Sequence, residues 1–383
     1  MTTFLLFLLV LGALVLVHEL GHFLMARRSG MKAEEFGFGF PPRLCGIVWN
    51  DDRQRYDVVL GNKEVSSSHT VYSINWIPFG GFVRIKGENG DGAKDSDSFA
   101  SKSPFARIKV LSAGVVMNFL FAWVLISVVL MLGFPRSIDS DEKVNPDTVE
   151  VQIASVLDGT PAADMGLHMG DVVVSVNGEK YLRVEHVQRL IKENAGQEIS
   201  IGVKRGDETL LLHGTPRVDF PENQGSLGVS LGETIFAKYS FFQAILQGAV
   251  ETYHLTIAMI FGIAKLFGSL VMGSREELSA VSGPLGIAYL TGEISHLGLA
   301  YLLYFTAILS VNLGILNILP FPALDGGRVL FVLIESLKGS PVSEKVEAIF
   351  HQVGFLLLLV LMVLITVHDI SKFDVIGKIQ ALF

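Results

Sequence analysis

The densest chemistry in the chain lies in five consecutive residues, His18-Glu19-Leu20-Gly21-His22, which read H-E-x-x-H. Before them, Phe4 to Val17 is apolar apart from Gly12, and Phe23-Leu24-Met25-Ala26 after them is apolar too. Histidines four apart on a helix lie one turn apart on one face, close enough to share a tetrahedral metal ion. Glu19 projects beside that face, where it can take a proton from water activated by the metal instead of ligating the metal itself. A lone histidine in an apolar helix is more often a satisfied core residue. An acid and two imidazoles inside a lipid-length segment are costly, however, and read by default as functional.

A catalytic zinc usually has three protein ligands and one open position, so His18 and His22 need a partner. The best candidate is Asp325, within Asn317-Ile318-Leu319-Pro320-Phe321-Pro322-Ala323-Leu324-Asp325-Gly326-Gly327. It sits in apolar surroundings where prolines and glycines break the backbone, and at membrane depth such backbone is tolerated only inside protein or against a water-filled cavity. The alternative is a proline-rich turn leaving one helix, with Asp325 capping the next.

The elements that must position these groups are membrane helices. Of 383 residues, 50% are hydrophobic and only 18% charged, below the charge of a typical soluble protein. The formal charge of -8 and the lack of a basic run argue against a nucleic-acid partner. Cys45 is the only cysteine, which excludes an internal disulfide and a C-x-x-C site. Met1-Thr2-Thr3 lacks the basic start of a signal peptide, so the first span is expected to be retained.

Four segments are long enough to cross roughly 30 Å of hydrocarbon: about Phe4 to Ala26, Val110 to Phe134, Leu299 to Pro320 and Phe350 to Val367. Arg27, Arg28 and Lys32 follow the first span and Lys102, Arg107 and Lys109 precede the second, whereas Asp139, Asp141 and Glu142 outnumber Arg136 beyond it. The positive-inside rule then puts the N-terminus outside, residues 27–107 on the cytoplasmic side and residue 135 onward outside. Phe241 to Met272 is apolar in bulk but interrupted by Gln243, Gln247, Glu251, His254 and Lys265, which suits an amphipathic membrane-associated helix. A fifth span there is the competing reading, and parity opposes it. Asp325 reaches the cytoplasmic end of the first span only if the third span runs in the same direction.

H-E-L-G-H in the first span together with N-I-L-P-F-P-A-L-D-G near the third resembles the site-2 protease family of intramembrane metalloproteases, closest to the bacterial group that cuts anti-sigma factors and remnant signal peptides. The resemblance implies that His18, His22 and Asp325 bind Zn2+ and that Glu19 activates the water. It matches Asn312 and Asn317 to asparagines that hold substrate or stabilise an oxyanion; side-chain amides can donate to such a charge, and polar packing between helices is the alternative. Two strand-like runs, Val71 to Ile77 and Phe82 to Ile85, flank Pro78-Phe79-Gly80-Gly81 and read as a hairpin. The resemblance implies that this hairpin enters the membrane, with Gly80 and Gly81 in the part that would position an unwound substrate. An ordinary hairpin packed on the loop domain is the alternative. Gly114 and Asn118 form a G-x-x-x-N pattern, usually a packing device, which the resemblance sets beside the active site and so adds Asn118 to the substrate-positioning candidates. Glu88 to Ser103 reads as an exposed connection.

Between the second and third spans, strand-like Val149 to Val156, Val172 to Val176, Ile199 to Val203 and Thr209 to His213 surround a helical Val184 to Asn194. The run from Gly159-Thr160-Pro161 through Gly170-Asp171 to Asn177-Gly178 resembles a PDZ domain, a module that binds chain termini by strand addition. His168, His186 and His213 read as ordinary surface or core histidines.

The expected fold is a polytopic α-helical membrane protein with four transmembrane helices, a membrane-associated β-hairpin and one inserted α+β PDZ-like domain. Residues 1–27 form the first span, 28–107 a cytoplasmic-side region with the hairpin at 71–86, and 108–134 the second span. Residues 148–217 form the PDZ-like domain and 238–275 the amphipathic segment. Residues 298–337 hold the third span and the L-D-G motif, and 350–369 the fourth span. The expected activity is a zinc endopeptidase of the cytoplasmic (inner) membrane, N-terminus and PDZ-like domain outside. Its partners would be the lipid bilayer, single-span membrane-protein substrates cut in regulated intramembrane proteolysis, and a peptide or partner terminus on the PDZ-like domain. A membrane-anchored PDZ scaffold with a structural metal site, and a zinc transporter, are the competing classes. Against the transporter, the intramembrane His and Asp cluster near one face instead of lining a path.

Overall fold

The computed structural model describes residues 2–63, 65, 67–88, 95–138, 145, 148–157, 159–180, 183–206, 208–221, 224–272, 282–340 and 342–372. Part of the expected connection (89–94), the acidic flank Asp139, Asp141 and Glu142, and positions 273–275 of the amphipathic segment lie outside the described residues. In chain order the elements are α1 (Thr2–Arg28), β1 (Ala33–Asn50), β2 (Arg55–Leu60), β3 (Val71–Ile85), α2 (Pro104–Leu132), β4 (Phe134–Ser137), β5 (Val149–Val156), α3 (Pro161–Asp164) and β6 (Val172–Val176). There follow α4 (Val184–Glu193), β7 (Ile199–Arg205), β8 (Glu208–Gly214), β9 (Val229–Ala237), α5 (Phe241–Met272), α6 (Pro284–His296), α7 (Leu299–Ile318), α8 (Asp325–Lys338) and α9 (Glu344–Lys372). The chain divides into two compact units, one of Met1–Val128, Ile245–His296 and Leu302–Phe383, the other of Val129–Ala244 and Leu297–Tyr301.

In the first unit, α1, α2, α5, α7 and α9 are each long and apolar enough to cross a membrane. Four of them cover the expected spans, and α5 is the least apolar of the five. The buried residues of α1 include Val10, Leu14, His18, His22 and Ala26, a four-residue repeat that forms one stripe. Gly21 on that side lets the backbones close: a Cβ there would meet Ala113 O and lie 2.7 Å from Met117 Cγ of α2.

The sheet of this unit has the order β2-β1-β3. Both strand-like runs expected around Pro78-Gly81 lie in β3, a single bent strand. They partner β1 and not each other: Phe36 faces both Tyr72 and Val83, Gly37 both Ser73 and Phe82, and Phe38 both Ile74 and Gly81. Residues 33–38 therefore run between the two halves. Alternation along the strands is inverted relative to a soluble sheet. Glu35, Arg43, Ser73 and Asn75 are buried, while Val58 is 69% and Trp76 65% exposed, with Ile47, Leu60 and Ile74 on the surface beside them. The buried acid is satisfied by charge-assisted bonds, Arg43 Nε donating to Oε1 at 2.7 Å and Arg43 and Arg84 both donating to Oε2. A sheet that pairs its polar groups inward and turns apolar side chains outward fits an apolar surrounding.

The second unit is an α+β domain. Its six strands run β4-β9-β5-β6-β7-β8. Val151, Ile153, Val176, Ile201 and Val203 pack with Val187, Leu190 and Ile191 of the amphipathic α4. The sheet extends beyond the stretch 148–217, because β5 pairs on its second edge with β9, and β9 in turn with β4. Without β9 a buried strand would lose one row of backbone partners. Asp171, fully buried, is held by Nε and Nη2 of Arg205 at 2.7 Å each and by His168 N.

Candidate metal centre

His18 and His22 lie one turn apart on α1, and Asp325 is the first residue of α8. One ligand atom from each falls within 4.8 Å of the others. Asp325 Oδ2 stands 2.9 Å from His18 Nε2 and 3.3 Å from His22 Nε2, and the two Nε2 atoms are 3.2 Å apart. The cap position of α8 is Leu324, without a side-chain bond, so Asp325 spends its carboxylate on the histidines and not on its own helix.

The surroundings fix which atoms face the centre. His22 Nδ1 donates to Val110 O at 2.8 Å, because a carbonyl can only accept, and this leaves the Nε2 lone pair for a metal. His18 Nδ1 meets the amide of Asn118 at 3.1 Å, and Asn118 Oδ1 is buried without a partner. A histidine that ligates through Nε2 carries its proton on Nδ1, so a half-turn of that amide gives Oδ1 the proton it lacks. Lone pairs of two imidazoles and a carboxylate crowded at 3 Å repel unless a cation lies among them. The donor set, two nitrogens and one carboxylate oxygen in a buried site, fits Zn2+.

Three positions on α2, spaced by four, serve this centre: Val110 by its carbonyl, Asn118 by its amide, and Gly114 by having no side chain. A Cβ on Gly114 would fall against His22 Nε2 and lie 2.7 and 2.8 Å from His18 Cε1 and Nε2. On α7, Ser310 Oγ donates to Asn118 O at 2.8 Å, and Gly314 lies against Asn118 and Phe119. Asn317, one turn further, brings its amide within 3.4 Å of His18 Nε2. Asn312 is half-buried on α7 and has no hydrogen bond to the cluster among the described residues.

Glu19 lies beside the cluster and reaches β3. Its Oε2 accepts from Val83 N at 3.2 Å, which orients the carboxylate and leaves Oε1 for another partner. Gly80 and Gly81 make this approach possible. Gly80 has φ +91°, and a Cβ there would meet Val15 Cβ and lie 2.5 Å from Val15 Cγ1; one on Gly81 would lie 2.9 Å from Leu16 Cδ1. Replacing Gly80 by Val should therefore push residues 80–83 off α1 and misplace Glu19. Misplacement by about 1 Å costs on the order of 100-fold in rate. For the base role expected of Glu19, turnover should fall on that scale with bound metal unchanged, measured alongside metal content; unchanged turnover would remove the strand from that role.

A cavity of about 500 Å³ opens beside the cluster, its walls including Glu19, His22, Val83, Asp325, Arg328 and His351. Arg328 is ion-paired with Glu88 at the end of the sheet. Val83, Arg328 and His351 have no motif in the sequence to mark them. Only His351, an imidazole opening an apolar segment, carried a signal of the kind that pointed to His18.

A family model described as Peptidase family M50 matches residues 6–361. The chain is similar over its length to the Regulator of sigma-W protease RasP of Bacillus subtilis, 29% identical over 96% of this chain and 97% of that one. It is likewise similar to the zinc metalloprotease RasP of Geobacillus kaustophilus, at 29% identity and the same coverage. Among solved structures it matches the PDZ domain of an SdrC-like protein from Listeria monocytogenes, 28% identical over 24% of this chain and 93% of that one, with a TM-score of 0.20.

Proposed function

The chain belongs to peptidase family M50 and is a multi-pass membrane zinc endopeptidase of the site-2 type; from that premise we propose that it cuts single-span membrane proteins within their spans, with His18, His22 and Asp325 holding the zinc and Glu19 as general base. The observation that carries the assignment is the convergence of three ligand atoms from α1 and α8 with Glu19 beside them but outside the ligand set.

Zinc, when bound, lowers the pKa of a water molecule and polarises a carbonyl. Glu19 would take a proton from the attacking water, whose oxygen adds to the scissile carbonyl, and pass it to the leaving amine as the C–N bond breaks, a transfer worth roughly 10²- to 10⁴-fold. Val83 N–H holds one carboxylate oxygen so that the other meets the water. The Asn317 amide, close to His18 Nε2, supplies a donor for charge that develops on the substrate oxygen.

The inverted sheet supports immersion of β1–β3 in the bilayer edge, with Trp76, Val58 and Leu60 in lipid. A four-span topology, N-terminus outside, has its own support. Ile245 O accepts from Trp123 Nε1 and Gly248 lies on Ser127, near the end of α2 remote from the site. At its other end the same stretch leads to Gly283, bonded to Asp369, and to Gly292 against Thr3, again roughly 20–27 Å along α9 and α1 from the site residues. Gly248 and Gly283 thus both lie toward the helix ends remote from the site, which favours an even number of crossings between them and an α5 outside the count of net spans. The second unit, by its PDZ-like motif, takes a peptide terminus on the extracytoplasmic side. Substrates of the anti-sigma-factor or remnant-signal-peptide class fit such a site.

Incubation of the detergent-purified protein with a truncated single-span substrate tests this reading. Mass spectrometry should map cleavage inside the span; 1,10-phenanthroline should abolish it and added Zn2+ restore it. Cleavage only outside the span, or untouched by the chelator, would refute the assignment.

A further inference from the structure

We infer that His351 is a positioning residue of this protease, acting through Nδ1 to hold the loop that delivers Asp325. The inference rests on the reading of Asp325 as a metal ligand. His351 lies on α9, about two turns into the helix, and its Nδ1 stands 2.9 Å from Ala323 N. An amide N–H can only donate, so Nδ1 accepts, and in the neutral imidazole the proton sits on Nε2. Among the described residues Nε2 is buried without a hydrogen-bond partner, and Glu347 Oε1 stands 4.0 Å from it.

Ala323 is a place where such a tether has work to do. Its φ is +70°, the left-handed region that residues with a Cβ enter at a cost, and it stands two residues before Asp325. The loop from Leu319 to Leu324 contains two prolines; Phe321 N and Leu324 N bond within it, to Leu319 O and Phe321 O, and Ala323 N is the amide turned to an acceptor outside it. What it lacks comes from α9. Gly354, one turn past His351, takes the ring of Pro322 where a Cβ would overlap it, and a Cβ on Gly327 would lie 3.5 Å from His351 Cε1. Phe331 on α8 and Phe350 on α9 meet edge to face at 5.0 Å. The helix thus grips the loop at Pro322 and Ala323, and among the described residues the polar contact in that grip is the bond from Ala323 N to His351. Release of that bond frees the strained residue to relax and lets Asp325 move away from His18 and His22.

Side-chain geometry separates the two ring nitrogens. In His351→Asn the amide oxygen occupies the position of Nδ1, whereas in His351→Gln the amide reaches the position of Nε2. With the full-length protein in detergent, affinity for Co2+ would be measured by chelator competition, the visible d–d spectrum reporting ligand geometry, and kcat and KM taken separately on the zinc-loaded enzyme. We expect His351→Leu and His351→Gln to weaken metal binding by roughly 10- to 100-fold, the range for outer partners of metal ligands. Their cobalt spectra should change and kcat should fall with little change in KM, and His351→Asn should restore all three readouts. Wild-type metal affinity in His351→Leu, or rescue by Gln and not by Asn, would overturn the inference. Asp325→Asn run in parallel must lose metal more severely than His351→Leu; if it binds Co2+ like wild type, the ligand reading itself has failed and takes the inference with it.

Discussion

Glu19→Gln is expected to abolish cleavage while leaving the metal in place. Glutamine keeps the shape of the side chain and an oxygen that can accept from Val83 N–H, so the strand should stay where it is. What it cannot do is take up a proton, and that loss removes on the order of 10²- to 10⁴-fold from the rate. Because the ligand atoms proposed for zinc come from His18, His22 and Asp325, zinc content should match wild type. In-span cleavage measured by mass spectrometry beside metal analysis of the same sample reads both halves. Loss of zinc would make Glu19 a ligand, and retained cleavage would remove it from the chemistry altogether. The same pair of measurements separates a protease from a scaffold with a structural metal site, since only a protease loses a function when Glu19 is changed and the metal stays.

The second large effect is expected at a residue with no side chain. Gly114→Ala adds one carbon, and in most helices that substitution stabilises by up to about 1 kcal/mol. Here the carbon would fall against His22 Nε2 and within 2.8 Å of His18 Nε2, the two atoms proposed to face the metal. Neither ring can swing aside freely: His22 is tied to Val110 O and His18 to Asn118. Gly114→Ala should therefore weaken metal binding by at least the roughly 10- to 100-fold typical of disturbed outer partners, and cleavage should fall in step. Calorimetric or chelator-competition titration with Zn2+ measures it. Tight metal binding in this variant would show that α1 and α2 can separate, and that Gly114 is a packing residue after all.

Much of the fold was legible in the chain itself because lipid enforces it. A segment that crosses the bilayer must satisfy its backbone internally and be apolar along its length, so α1, α2, α7 and α9 announce themselves in composition. The first half of the metal centre was legible for a related reason: His18 and His22 are neighbours on one helix, and a four-residue spacing already determines that they share a face. Asp325 stood at the edge of what a sequence can say. Its motif and the resemblance pointed to it, but a capping role was equally open until its carboxylate was seen beside His18 and His22 and not at the helix end.

The partners of those residues were decided only by tertiary structure. Val110 contributes a backbone carbonyl and Val83 a backbone N–H, and neither depends on side-chain identity in a way that a motif records; Gly114 was marked by its G-x-x-x-N pattern, but not the imidazole atoms its missing side chain makes room for. The strand β3 read as one hairpin, yet its halves turn to residues 33–38 between them, because register is set by pairing across distance and not by local propensity. His351 is a histidine at the head of an apolar helix, a residue with many ordinary explanations, until α9 is packed on the Asp325 loop. The sequence by itself determined the lipid-soluble helices and the acid and imidazoles they carry, since both follow from local chemistry. Which atoms face the metal, which hold the base and what holds the third ligand arise from contacts between α1, α2, β3 and α9 that exist only once those elements are packed.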